Sequence, residues 1–282
     1  MAQQYFTNVF LSLPEEDFEL AIAALNDSPV QGIEERFDEL LVSFLADDWT
    51  DELHASLLEK FAQYGIAPTI RETVTVEQQN WNEQWEQSLT PVVVNERITI
   101  TPEWHRDSVV APCVIIINPK MSFGTGYHPT TRMTTGFLEK YVTDGSRWID
   151  AGTGTGVLAI AATMFGASSV FAFDNDVWSV ENAIENIERN DVQGIISISQ
   201  ADVFTVALPK FDGIVANLYR NLLLPNMEKF LESVDDNGLL IVSGILKYDA
   251  EEIISSATAV GFTFLEQANE EEWVAIVFQK GV

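Results

Sequence analysis

The chain reads as an α/β protein. A parallel sheet has helices between its strands, is closed by an antiparallel hairpin and is preceded by a smaller α+β unit. Three observations predict this. From residue 147 onward, short apolar runs alternate with helical patterns. One such junction, Trp148 to Asp174, reads strand, glycine turn, helix, strand, with Gly152, Gly154 and Gly156 at the turn. Ahead of it, residues 4–77 follow the order βαββαβ.

Each element has a local reason. Residues 4–13 are β-rich and end at Pro14, and Pro14 to Leu25 starts as a helix with Glu15, Glu16 and Asp17 in its first turn. Val30–Arg36 and Asp38–Leu45 read as strands. Thr50 to Tyr64 places Leu53, Leu57, Leu58 and Phe61 at helical spacing and stops at Gly65, and Ile70–Glu77 alternates as a strand. This is the ferredoxin-like arrangement, expected to form a first domain over 1–77. A linker helix is expected over 78–90, carrying Trp81 and Trp85 on one face as packing for the joint. The remainder, 91–282, is expected to form the second domain, opening with short extended runs at Arg97–Thr101 and Val114–Asn118. Strands then follow at 147–150, 169–174, 195–200, 212–217, 239–244, 262–266 and 273–279. Only a short acidic turn joins the last two, so they pair antiparallel. Seven strands ending in that hairpin match the Rossmann-like layout of class I methyltransferases rather than that of a dehydrogenase.

Composition narrows the function classes. At 282 residues, 46% of them hydrophobic, the chain can bury a substantial core, and two domains are the natural division. No apolar run approaches the roughly 20 residues that span a bilayer, and the N-terminus lacks a signal pattern. Cys113 is the single cysteine, so no intramolecular disulfide forms, which fits a reducing cytoplasm. Fifteen basic against 43 acidic side chains give a formal charge of −28. Such a surface repels phosphate backbones, so nucleic-acid binding is not expected, and it attracts cationic partners.

The glycine spacing identifies the ligand class. A dinucleotide fingerprint needs its third glycine at position 157, which is Val157, and no G-K-[ST] follows to make a P-loop. The observed G-x-G-x-G, preceded by Asp150, fits S-adenosylmethionine, whose sulfonium and amino-acid end need no pyrophosphate cradle. Asp174 closes the second strand, where a carboxylate accepts hydrogen bonds from both ribose hydroxyls; the alternative is a cap on the next helix. Asp202 is a weaker candidate for the adenine amine, with an ordinary turn residue as its alternative. His54, His105 and His128 are scattered without metal-ligand spacing, so no metal is expected. His128 is read as ordering its own loop ahead of Pro129 rather than as a base.

Three motifs are more specific. Phe123–Thr131 reads FGTGYHPTT, Asp150–Gly156 reads DAGTGTG and Val215–Asn217 reads VAN. Together they resemble the PrmA family, methyltransferases that modify the eleventh protein of the large ribosomal subunit. The resemblance covers the C-terminal two-thirds and extends upstream through the W-x-x-x-W segment and Ile100–Trp104. The N-terminal unit matches the family's substrate-recognition domain in architecture. Departures are Thr153 and Thr155 where Cys and Ser are common, Tyr127 for a smaller loop residue, and Val177 for a proline.

The resemblance implies cofactor contacts at Thr131, Gly152, Asp174 and Asn217, and Gly154 of the same turn is a further cofactor-binding candidate. Thr131 would reach the cofactor from the loop ahead of the first core strand, and Asn217 would sit beside the transferring methyl and orient the amine. It implies methyl transfer from S-adenosylmethionine to lysine side chains and the N-terminal amine of a basic ribosomal protein, by a cytoplasmic monomer. Two alternatives stay open at this point: a related enzyme acting on another protein's lysines or a small molecule, and a cofactor-binding module without catalysis.

Overall fold

The computed structural model describes residues 5–77 and 88–281. The chain divides into two compact units, Met1–Trp81 and Asn82–Val282. Residues 78–87, where the helix with Trp81 and Trp85 is expected, lie outside the described residues.

The first unit contains β1 (Tyr5–Ser12), α1 (Phe18–Leu25), β2 (Val30–Arg36), β3 (Glu39–Leu45), α2 (Asp51–Gln63) and β4 (Thr69–Glu77). Its sheet runs β2-β3-β1-β4, with every neighbouring pair antiparallel. Strand alternation puts Val9 and Leu11 on one face with Leu40, Val42 and Phe44, and Phe18, Ala21, Leu57 and Phe61 from the two helices bury that face. Burying a side chain such as Phe61 contributes about 1.5–3 kcal/mol. Helix α2 begins where Thr50 Oγ1 accepts the Leu53 N–H at 3.1 Å, and the chain leaves it through Gly65 at φ +77°. This is the ferredoxin-like unit expected from the sequence.

The second unit opens with a small sheet of β5 (Val92–Val93), β6 (Ile98–Thr101) and β7 (Cys113–Ile116). There follow α3 (Pro129–Tyr141), β8 (Arg147–Ala151), α4 (Val157–Met164), β9 (Ser169–Asp174), α5 (Val177–Arg189), β10 (Ile196–Gln200) and β11 (Phe211–Asn217). Then come α6 (Arg220–Leu223), α7 (Met227–Ser233), β12 (Val234–Leu246), α8 (Ala250–Val260), β13 (Phe262–Glu270) and β14 (Trp273–Lys280).

The large sheet has the order β10-β9-β8-β11-β12-β14-β13. The first five are parallel, and β14 runs antiparallel to both β12 and β13. All seven expected strands and the closing hairpin are present. Both faces are covered, as a parallel sheet requires. Trp148, Val170, Val215 and Ile241 pack under Leu138, Leu158 and Ile187. On the other face Ile149, Ile214 and Val242 meet Met227, Phe230 and Ile253. The strand order reverses between β8 and β11, and open α/β sheets bind ligands beyond the carboxyl ends of the strands at such a point.

Two features were not anticipated. Pro129–Tyr141 is a helix rather than a loop; Pro129 occupies its first turn and the His128 side chain caps it. The second is a ladder of asparagines on α5. Asn190 Oδ1 accepts the Ile116 N–H at 2.9 Å and its Nδ2 donates to Ile116 O at 2.7 Å. One turn earlier, Asn186 Oδ1 accepts the Asn118 N–H at 3.0 Å and its Nδ2 donates to the Asn118 and Thr155 carbonyls. These amides supply β7 and its continuation with the hydrogen bonds a neighbouring strand would give.

Candidate active site

A cavity of about 520 Å³ opens at the carboxyl ends of β8, β9 and β11. That volume lies within the range of small-molecule sites.

Its floor is the glycine turn after β8. Gly152, Gly154 and Gly156 sit at φ +73°, +53° and +84°, a region that side chains with a Cβ rarely occupy. A Cβ on Gly154 would stand 2.4 Å from the Phe123 carbonyl oxygen. That closeness has a cause in the neighbouring loop. The Thr155 N–H donates to Phe123 O at 2.9 Å and Thr155 Oγ1 donates to Gly124 O at 2.9 Å. The FGTGYHPTT and DAGTGTG motifs are therefore one hydrogen-bonded body. Thr155, a departure from the family pattern, supplies one of the bonds that join them.

Asp174 ends β9 and faces the cavity. Its Oδ2 accepts the Gly154 N–H at 3.0 Å and its Oδ1 the Asp176 N–H at 3.1 Å. The capping role belongs to Asp176 instead, which accepts the Trp178 and Ser179 N–H groups at the start of α5. Two backbone donors fix the Asp174 carboxylate, and each oxygen keeps lone pairs for a ligand's hydroxyls. Asp202 also lines the cavity, and its Oδ1 accepts the Phe204 N–H at 2.7 Å, so it is a turn residue as well.

Asn217 ends β11 on the opposite side of the turn and lines the cavity. Its Nδ2 donates to Thr130 Oγ1 at 3.2 Å, while its buried Oδ1 has no hydrogen-bond partner among the described residues. Buried acceptors are nearly always satisfied, so a free one on a cavity wall marks where a donor belongs.

Thr131 is placed differently from the expectation. It lies inside α3 rather than in a loop, is fully buried and is not among the residues lining the cavity. Thr130 lines it instead. The helix explains the difference, because successive positions turn by about 100° and only one of two adjacent threonines can face the ligand side. Pro129 in the first helical turn was the available signal.

His128 also lines the cavity. Its Nδ1 stands 2.7 Å from Thr130 Oγ1 and accepts the Thr130 N–H at 3.3 Å, and the edges of Phe123 and Trp273 hold the ring. Burial lowers its pKa, Arg132 lowers it further, and Glu271 and Glu270 act in opposition. Trp273 and Gly244 were not singled out in the sequence, since nothing local marks them, and Thr130 was quoted only within the FGTGYHPTT motif.

Beneath the turn, Asp150 is fully buried. Its Oδ2 accepts the Thr153 hydroxyl at 2.6 Å and the Ala159 N–H at 3.0 Å, and its Oδ1 has no partner among the described residues. Burial raises its pKa to about 7, against the lowering effect of both hydrogen bonds. Among the described residues, no group of three or more His, Cys, Asp or Glu is arranged to hold a metal ion. No helix among them is long and apolar enough to cross a membrane.

The site suits S-adenosylmethionine on its own features. The backbone closes tightly at Gly152 and Gly154, a carboxylate stands ready for ribose hydroxyls, and an orphaned acceptor waits beyond them.

A family model described as ribosomal protein L11 methyltransferase (PrmA) matches residues 21–281. The ribosomal protein L11 methyltransferase of Chlorobaculum parvum (strain DSM 263 / NCIMB 8327) is 34% identical over 272 residues, 93% of this chain and 92% of that protein. The protein of the same name from Exiguobacterium sp. (strain ATCC BAA-1283 / AT1b) is 35% identical over 207 residues, 73% of this chain but 66% of its own length. Among solved structures, the ribosomal protein L11 methylase from Lactobacillus delbrueckii subsp. bulgaricus superposes with a TM-score of 0.63 at 26% identity. That match covers 69% of this chain and 100% of the other.

Proposed function

The chain belongs to the PrmA family of ribosomal protein L11 methyltransferases, and on that premise we propose that it methylates amino groups of ribosomal protein L11 using S-adenosylmethionine. The acceptors are lysine side chains and the N-terminal amine. The observation that carries the proposal is Asn217 Oδ1, a buried acceptor with no partner among the described residues, on the same cavity as Gly152 and Asp174.

Asp174 would hold the ribose hydroxyls, and Gly152 and Gly154 would let the backbone approach the cofactor closely. When bound, S-adenosylmethionine supplies a methyl group on a positively charged sulfur. A lysine acceptor has an ordinary pKa of about 10.4 and the N-terminal amine one of about 8, and a protonated amine must lose its proton to react. Desolvation in the cavity lowers these values, and the proton leaves to water. Asn217 Oδ1 accepts an amine N–H and so aims the nitrogen lone pair. Catalysis in this scheme is mainly positioning, with no dedicated strong base. Thr130 lines the cavity wall, and the next residue, Thr131, has a buried hydroxyl that, like Asn217 Oδ1, lacks a hydrogen-bond partner among the described residues.

The first unit is assigned to recognition of the basic substrate protein. The enzyme is assigned to the cytoplasm as a monomer, without nucleic-acid or membrane partners. The test is mass spectrometry of ribosomal protein L11 after incubation with the chain and S-adenosylmethionine: mass should rise in steps of one methyl. Asn217→Ala should lower kcat by about 100-fold while cofactor affinity, read by calorimetry, changes far less. An unmodified ribosomal protein, with label transferred to another extract component, would assign the enzyme to a different substrate.

A further inference from the structure

We propose that Thr130 and His128 form a positioning relay that fixes which end of the Asn217 amide faces the acceptor amine. The inference rests on the amine-methylation reading above and adds two residues to it.

The geometry leaves one consistent pattern. His128 Nδ1 accepts the Thr130 N–H at 3.3 Å, so Nδ1 carries a lone pair and the ring proton sits on Nε2. The Thr130 hydroxyl, 2.7 Å from the same nitrogen, must then donate to it. A hydroxyl has one proton. With that proton directed at His128, Thr130 Oγ1 presents only lone pairs to Asn217, 3.2 Å away. The Asn217 side chain answers with its NH2, and its Oδ1 is left as the free acceptor. The opposite amide orientation would set two acceptors against each other. Phe123 and Trp273 complete the device by holding the imidazole edge-on, at centroid distances of 5.2 and 4.5 Å.

The relay is sensitive to the charge on His128. A proton on Nδ1 turns it from acceptor to donor, and the Thr130 hydroxyl and N–H lose their acceptor together. The Thr130 hydroxyl is then free to rotate, and the Asn217 orientation is no longer enforced. The charged groups that act on this ring are Arg132, which opposes protonation, and Glu270 and Glu271, which favour it. Arg132 is itself ion-paired with Glu270. The relay therefore works at neutral pH and fails on the acidic side.

The ring nitrogens decide the question directly. In the full chain, nitrogen NMR of His128 should show the neutral tautomer with its proton on Nε2; a proton on Nδ1 at neutral pH overturns the relay whatever the enzyme's activity. Kinetics provide the second arm. Thr130→Val should lower kcat about tenfold or more, with KM for the ribosomal protein within about twofold, and Thr130→Ser should recover most of the loss. His128→Asn keeps an acceptor in the place of Nδ1, so it should recover kcat relative to His128→Ala and remove the acidic limb of the pH profile. Thr130→Val with kcat nearly unchanged, or Thr130→Ser as impaired as Thr130→Val, would dismiss the relay. A wild-type chain that methylates no amine defeats the functional reading instead, and the tautomer still decides the relay.

Discussion

Asp150 and Gly154 carry two of the residue-scale consequences. Asp150 has its pKa raised from 3.8 to about 7 by burial. Between those values the native state holds a proton that the unfolded chain has released, so its contribution to stability is fully present below about pH 4 and is lost as pH rises through about 7. Asp150→Asn should remove that slope. Urea unfolding from pH 5 to 8 measures it, and parallel profiles for the two proteins would argue against the assignment. Gly154 combines φ +53° with a backbone oxygen 2.4 Å from where a Cβ would sit. Gly154→Ala should cost about 1–3 kcal/mol and weaken cofactor binding, as read by thermal unfolding and calorimetry. The glycines and Asp174 were legible because each marks the end of a strand with a polar or turning residue, whereas Asn217 rested on the VAN motif and the family resemblance. Thr130 was not legible, because choosing between it and Thr131 needs the phase of a helix.

At the scale of elements, the asparagine ladder on α5 does what no hydrophobic pattern announces. Asn186 alone serves three backbone groups, two on Asn118 and one on Thr155. Asn186→Leu keeps the volume but removes the partner of the Asn118 N–H and a donor to Thr155 O, while Asn118 O keeps its bond from Asn182 Nδ2 at 2.9 Å. Leaving a buried polar group unsatisfied costs about 1–3 kcal/mol, so the variant should lose about 3 kcal/mol or more. Its unfolding midpoint in urea reports this, and a midpoint like the parent's would mean that water replaces the amide. The spacing of Asn182, Asn186 and Asn190 at four-residue steps was visible in the sequence, but the backbone groups they serve across the fold lie 31 to 74 residues away. The strands, by contrast, could be read because alternation and apolar runs are local. The extension of β12 back to Val234 was missed, since its first residues pair only beside Phe211, ahead of the main register with β11.

For the whole molecule the dominant fact is charge. A formal charge of −28 creates a field felt well beyond any single contact at low salt and screened within about 10 Å at 0.1 M. Association with a basic ribosomal protein should slow severalfold between about 20 and 200 mM salt, measured by stopped-flow mixing. A rate indifferent to salt would show that the acidity serves solubility alone. The layout of the large sheet was also legible at this scale. Seven strands, an antiparallel close and a glycine turn after the first leave few ways to assemble a right-handed α/β unit.

The sequence by itself determined what rests on near neighbours along the chain: strand and helix periods, the glycines of the turn, and the carboxylate that ends β9. Tertiary structure alone decided how those pieces meet. It put Thr155 against Phe123 and Gly124, Asn186 against Asn118, and Asn217 against Thr130. The reason is physical. A helix or turn forms from bonds between residues a few positions apart, whereas a hydrogen bond across 87 positions exists only once the sheet has brought its two ends together.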